Sequence, residues 1–269
     1  MAMFAIGGLL PENEVRQVAE SWPMVLVGAA LQYTVMPILG FSTAHLLKLD
    51  IAECIGVVMV GCVPGAMASN VLTLMARGHV SYSVSLTTTS TLLSPIAVPI
   101  GLWLLLGAGV AIDPIEVCSE LLAMVVGPVI LGYVFCRKAA WMRQAMALCG
   151  SLAANLAILW IIAVVVALNR DTLFQASGRV LLALVLVNGL GYAAGYAGAT
   201  ALGLSDPMRR ALTLEIGMQN AGLGTTLVLQ LFPESPAAAI PTALYTFGCM
   251  FTGSLLARWW SSQRPKTIG

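Results

Sequence analysis

In the stretch Thr213-Leu214-Glu215-Ile216-Gly217-Met218-Gln219-Asn220-Ala221-Gly222-Leu223, a carboxylate, two adjacent side-chain amides and two glycines stand inside an otherwise apolar run. A charged carboxylate in hydrocarbon costs roughly 2.5 to 3.5 kcal/mol on insertion scales, so a segment that keeps one uses it. Glu215 is therefore the first candidate for function. The plainer alternative is a carboxylate that pairs with an arginine to fasten two helices, but no basic residue lies inside any apolar run to act as that partner. Enzyme chemistry finds little to work with. His45 and His79 fall near the ends of apolar runs, where interfacial solvation accounts for them, and no Ser-His or paired-aspartate set accompanies them. The six cysteines (54, 62, 118, 136, 149, 249) form no Cys-x-x-Cys pair and read as small packing residues.

The elements that must hold Glu215 are membrane helices. Hydrophobic residues make up 59% of the chain and charged residues 9%, with a mean hydropathy of +0.90. A soluble domain is about half apolar and a quarter charged, so this is a polytopic membrane protein. A net charge of +1 gives no support to a nucleic-acid partner. Residues 1–10, MAMFAIGGLL, are apolar but shorter than the roughly 20 residues a spanning helix needs, and they lack a signal peptide's basic flank. They read as the second half of a transmembrane helix, as if the chain began inside a larger protein or at an internal start.

After a polar patch from Pro11 to Glu20, a span is expected from Trp22 to Leu47 with Gln32 at its middle. The segment Ile51 to Ala76 is interrupted by Gly61-Cys62-Val63-Pro64-Gly65, where proline removes a donor and glycine loosens the backbone, so it reads as a helix broken near the bilayer centre. Spans follow at Val80 to Leu106, Val117 to Phe135, Ala147 to Leu168 and Val180 to Leu204. Ser205-Asp206-Pro207 caps the next helix, which breaks at 217–222 and resumes to Leu231; a last span runs from Ala237 to Trp260. The result is eight full spans plus an initial half-span. A cytoplasmic carboxyl terminus puts ten of the 13 lysines and arginines inside, leaving Lys48, Arg170 and Arg179 outside. The order of a span with a mid-membrane amide, a broken helix and a closing span occurs first around Gln32 and Asn70, and again around Asn188 and Glu215 to Asn220. The span of Asn188 comes five spans after that of Gln32, so the two sets insert with opposite orientation. Paired broken helices in two inverted halves point to the binding site of a secondary transporter.

The runs Gly61-Cys62-Val63-Pro64-Gly65-Ala66-Met67-Ala68-Ser69-Asn70-Val71, Ala76-Arg77-Gly78, Ser90-Thr91-Leu92-Leu93-Ser94-Pro95 and, most specifically, Glu215-Ile216-Gly217-Met218-Gln219-Asn220 resemble the bile acid:sodium symporter family over essentially the whole chain. The resemblance implies an all-α, inverted-repeat transporter of bacterial type with two crossed discontinuous helices, lacking here the first helix and half of the second. It implies a single transporter unit, 1–269, with a core domain at about 22–106 and 180–260 and a panel domain at about 1–14 and 117–168 that move against each other. It places the protein in the bacterial inner membrane.

The resemblance further implies two sodium sites. The first uses Ser69, Asn70, Ser83, Thr87 and Glu215; the second uses Gln32, Gln219, Glu215 again and the backbone carbonyls of Ile216 and Met218. Oxygen ligands suit a hard cation, and broken helices supply them. For the substrate it implies Asn220, with Met67, Ala68, Ala221 and Cys249 near it. The final span, Thr246-Phe247-Gly248-Cys249-Met250-Phe251, is more apolar than in the better-known members. Two sodium ions around one carboxylate leave a charge of about +1, which an organic anion completes; positive helix ends add to its attraction. The expectation is sodium-coupled symport of an organic anion, bile-acid-like or a small carboxylate such as a pantothenate precursor. The alternative is a non-transporting or truncated ligand-binding membrane protein of the same family.

Overall fold

The computed structural model describes residue 4, residues 14–107, 113–138 and 178–263, and the isolated positions 156, 160, 163 and 167; of 14–21 and 137–138 it describes the backbone alone. The described residues build an all-helical membrane protein. Helix α1 is Glu14–Leu46, α2 Ile51–Cys62, α3 Ala68–Met75, α4 Val80–Leu106 and α5 Pro114–Leu121. A π-helical turn, Leu122–Val126, joins α5 to α6, Gly127–Lys138. Then come α7 Gly178–Ala201, α8 Asp206–Gly217, α9 Ala221–Leu231, a short 3-10 turn at Pro236–Ala238, and α10 Ala239–Ser262.

Five of these stretches are long and apolar enough to span: Trp22–Leu46, Val80–Leu106, Pro114–Cys136, Gly178–Ala201 and Pro236–Ser262. Both expected broken helices are present. The pair α2 and α3 has 12 and 8 residues, and α8 and α9 have 12 and 11. At 1.5 Å per residue each half is about 12 to 18 Å long, so two halves together span a hydrocarbon core of about 30 Å. The span expected at Ala147 to Leu168 lies outside the described residues except for 156, 160, 163 and 167, and so does the initial half-span except for Phe4, whose ring centroid is 6.4 Å from that of Phe135.

Two local readings are corrected. The patch expected to separate the half-span from the next span is, from Glu14 onward, the first turns of α1. Its Glu, Arg, Gln and Ala residues are good helix formers, and Pro23 does not stop the helix. The span expected from Val117 to Phe135 starts earlier, at Pro114, because Asp113 caps it by accepting a hydrogen bond from the Ile115 amide at 2.9 Å. That span is also widened at Leu122–Val126. Pro128 cannot donate to the carbonyl four residues back and its ring crowds it, and the widened turn just ahead of it accommodates that loss.

The polarity of the molecule is turned outside in. Val185, Leu104, Phe251 and Ile96 are more than 60% exposed, whereas Gln32, Ser69, Thr73, Ser83, Glu215 and Gln219 are at most 1% exposed. That arrangement suits a bilayer as solvent, where the apolar face needs no cover and polar groups must be satisfied inside. The short α2 is the most enclosed element, buried at every position from Ile55 to Cys62. Helix α7 lies close on α8 through small residues: a Cβ added at Gly195 would come within 2.9 Å of Thr213 Cα, and one at Gly191 within 3.2 Å of Gly217 Cα.

Candidate cation site at the helix crossing

The two helix breaks face each other. Val63 and Met218, the residues that end α2 and α8, have extended backbone, and the two short extended segments pair antiparallel at Gly65 and Gln219. The Ala66 amide donates to the Met218 carbonyl and the Asn220 amide to the Pro64 carbonyl, each at 2.8 Å. These bonds satisfy backbone groups freed by the interruptions, as groups buried away from water require. The crossing brings Glu215, from the last turn of α8, against the first break. A Cβ at Gly65 would sit 2.1 Å from Glu215 Oε1, so only glycine leaves room for the carboxylate there.

Around Glu215 the structure gathers all five residues of the first expected set. Ser69 Oγ donates to Glu215 Oε2 at 2.5 Å, and Thr87 Oγ1 lies 2.8 Å from the same oxygen. Ser83 Oγ donates to Asn70 Oδ1 at 2.8 Å. Thr87 Oγ1 lies 3.2 Å from Asn70 Oδ1 and 3.0 Å from the Ser83 carbonyl. Ser83 and Thr87 are one turn apart on α4, and Ser69 and Asn70 open α3, so three elements converge on one carboxylate. Thr73, one turn beyond Ser69, extends the set, with its hydroxyl 3.2 Å from Ser83 Oγ.

A proton count shows what this cluster lacks. The single hydroxyl proton of Thr87 faces three acceptors, and a carboxylate has acceptor capacity only. Glu215 Oε1 is buried with no hydrogen-bond partner. Among the described residues there is no salt bridge to Glu215; the pair found is Asp206 with Arg209, at the start of α8. A buried, oxygen-rich and proton-poor cluster with an uncompensated carboxylate is suited to a hard cation. Serine and threonine hydroxyls that donate to the carboxylate keep lone pairs for such an ion. Among the described residues no group of three His, Cys, Asp or Glu side chains gathers to suit a softer metal.

The second expected set is brought together in part. Gln32 Nε2 donates to Gln219 Oε1 at 2.5 Å and lies 3.3 Å from the Val63 carbonyl; Gln219 Nε2 donates to the Ile216 carbonyl at 2.6 Å. Gln32 Oε1 is the second buried oxygen without a partner. The Met218 carbonyl serves the backbone pairing with Ala66, and the hydrogen-bond partners of Glu215 lie in the first set. The residues expected near a substrate divide. Met67, Ala68 and Asn220 are partly exposed beside the crossing, and Asn220 caps α9 through the Leu223 amide at 3.2 Å. Ala221 and Cys249 are buried, and Cys249 Sγ points back to the Thr246 carbonyl of its own helix at 3.5 Å.

Sequence reasoning missed Thr73 and the Val63 carbonyl, and it left Asn188 without a partner. A second polar group lies behind the crossing: Asn188 Nδ2 and Tyr245 Oη both donate to the Gly217 carbonyl at 2.8 Å. The inward amide at mid-span was the signal for Asn188; a tyrosine in an apolar helix carries no comparable one.

The chain matches the model of the Sodium Bile acid symporter family over residues 1–176. It is 34% identical over 268 residues to the Bacillus subtilis (strain 168) protein named uncharacterized sodium-dependent transporter YocS, covering 98% of this chain and 82% of that protein. It is 30% identical over 272 residues to the probable sodium/metabolite cotransporter BASS1, chloroplastic, of Arabidopsis thaliana, covering 67% of that protein. Human sodium/bile acid cotransporter 4 is 29% identical over 218 residues, 77% of this chain and 49% of that protein. The family match ends ahead of α8 and α9, but the first two relatives align across the crossing as well, since they cover 98% and 100% of the chain. With two broken helices meeting at a buried carboxylate and these matches along its length, the chain belongs to the sodium bile acid symporter family.

Proposed function

We propose that the protein is a sodium-coupled symporter of an organic anion, working by alternating access between a core at about 22–106 and 180–260 and a panel at about 1–14 and 117–168. The observation that carries this reading is the pair of buried, unpartnered oxygens at the crossing, Glu215 Oε1 and Gln32 Oε1, with no compensating cation among the described residues. Sodium ions are the transported partners that fill this need. One binds among Ser69, Asn70, Ser83, Thr87 and Glu215; a second binds among Gln32, Gln219, Glu215 again and the Ile216 and Met218 carbonyls. The names of the relatives, sodium-dependent transporter and sodium/metabolite cotransporter, support cotransport of a metabolite with sodium.

With both ions in place the net charge at the crossing becomes positive, and α3 and α9 begin there with their amide ends toward it. An anion that binds beside Met67, Ala68 and Asn220 completes the charge balance. Substrate and ions thereby hold one another, which couples their passage. The carboxyl terminus lies in the cytoplasm of a bacterial inner membrane, and the gradient drives uptake inward. The test is uptake of labelled organic anions, pantoate and taurocholate among them, into proteoliposomes with sodium or potassium outside. Accumulation only with sodium is expected; equal uptake in both salts overturns the coupling.

A further inference from the structure

The Gly217 carbonyl closes the last turn of α8, two residues after Glu215 and two before Gln219. In an uninterrupted helix it would accept from the amide of residue 221, but here the Ala221 amide turns to the Gln219 carbonyl at 2.8 Å. The freed Gly217 carbonyl receives two donors from other helices, Asn188 Nδ2 of α7 and Tyr245 Oη of α10. Asn188 is oriented in turn, because its Oδ1 accepts from Thr252 Oγ1 at 2.8 Å. The Thr252 hydroxyl lies 3.2 Å from that of Tyr192, whose ring also packs directly against Gly217. Asn188 is 6% exposed and Tyr245 1% exposed, and their side-chain polar atoms are partnered. This group therefore has no place for an ion of its own, in contrast to the bare oxygens of Glu215 and Gln32.

We infer that Asn188 and Tyr245 are positioning residues for cation binding: by holding the Gly217 carbonyl from two sides they fix the direction in which α8 ends, and with it where Glu215 and Gln219 point. The inference rests on the sodium reading above. The two donors are redundant by design of the site. Removing one leaves the carbonyl satisfied by the other, while removing both leaves a buried acceptor bare, which the chain relieves by rotating the break away from the crossing.

The test compares the sodium concentration giving half-maximal thermal stabilisation of purified protein, at constant ionic strength with potassium, for wild type, Tyr245→Phe, Asn188→Leu and the double variant. Sodium-dependent uptake is read in parallel as a midpoint and a maximal rate. Losing one of two neutral hydrogen bonds predicts a midpoint raised about threefold in each single variant. The double variant is expected to shift about thirtyfold, beyond the product of the singles, because only it leaves the carbonyl unpaired. Maximal uptake at saturating sodium stays near wild type. A double variant within twofold of the wild-type midpoint overturns the inference, as does a fall in maximal rate with no midpoint shift, the pattern of a merely structural role. If the double variant does not fold, Tyr245→Phe and Thr252→Val decide: a raised midpoint in both supports positioning, and an unchanged midpoint overturns it. A wild-type protein that gives no sodium response overturns the sodium reading itself; a responsive wild type whose variants keep its midpoint overturns the positioning alone.

Discussion

Glu215 is held by contacts that place it without neutralising it. Ser69 and Thr87 address Oε2, and Oε1 stays bare against Gly65. Substituting Glu215→Ala removes the charge around which both proposed ions gather. Breaking a buried ionic arrangement by removing one partner costs about 3 kcal/mol or more, which is over a hundredfold in affinity. We expect sodium titration of that variant to show no binding event in the range where wild type binds, and two surviving events would refute the shared-carboxylate view. Gly65→Ala tests the same atom from the other side. Its Cβ would come 2.1 Å from Oε1, so either the carboxylate or the backbone pairing must yield. Overpacking of this kind costs about 1 to 3 kcal/mol, and the expected result is a folded protein whose sodium midpoint rises at least about fivefold. An unchanged midpoint would mean that the carboxylate position is immaterial to binding.

At the scale of elements, some of this arrangement was legible in the chain and some could not be. Glu215, Gln219 and Gln32 stood out because a polar side chain within an apolar run has to be satisfied inside the protein. Both helix interruptions were legible in the same way, as glycine and proline where a span should continue. The partners were harder to read. Backbone carbonyls such as those of Val63 and Gly217 leave no mark on residue identity, and Thr73 reads like any helix threonine that bonds to its own backbone. The widened turn before Pro128 was also hidden, because Pro23, Pro37, Pro95 and Pro99 sit inside helices with no such turn. The end of α3 carries a further surprise. The Gly78 amide bonds back to the Thr73 carbonyl and the Arg77 amide to that of Leu74, the pattern of a helix that closes through a left-handed residue. That residue is Arg77, at φ +53, where glycine is the usual choice. A side chain in this conformation costs about 1 kcal/mol. Arg77→Gly is therefore expected to raise the melting temperature in detergent by about 2 °C; a lower melting temperature would show that the Arg77 side chain itself contributes more than its backbone costs.

For the whole molecule, the proposed alternating access requires the outer and inner ends of the site to open in turn, and the described contacts include one seam that closes an end. Val117 and Leu121 of α5 and Val125 of the π-helical turn share one buried cluster with Val98, Leu102 and Leu106 of α4 and Leu227 and Val228 of α9. Gln230 Nε2 donates to Glu120 Oε2 at 2.7 Å beside it. In the proposed orientation, with the carboxyl terminus inside, α4 and α9 end and α5 begins at the outer surface, and this seam then closes the outer side between the proposed panel and core. Two effects could hold it shut, and their sizes differ. A hydrogen bond at an exposed position contributes about 1 kcal/mol, whereas truncating a buried leucine costs about 2 to 5 kcal/mol. The opened seam admits water rather than lipid, so the burial term applies in full. Leu121→Ala should therefore open the outer side far more than Glu120→Ala, which removes the acceptor of that bond. The measurement is the rate at which a membrane-impermeant maleimide, added outside, labels Val228→Cys, a near-isosteric probe in the same cluster, in a chain whose native cysteines are replaced by serine or alanine. We expect slow labelling in that background, a change of at most about fivefold with Glu120→Ala, and at least about tenfold faster labelling with Leu121→Ala. Equal rates in all three would remove the apolar seam as the element that keeps the outer side closed.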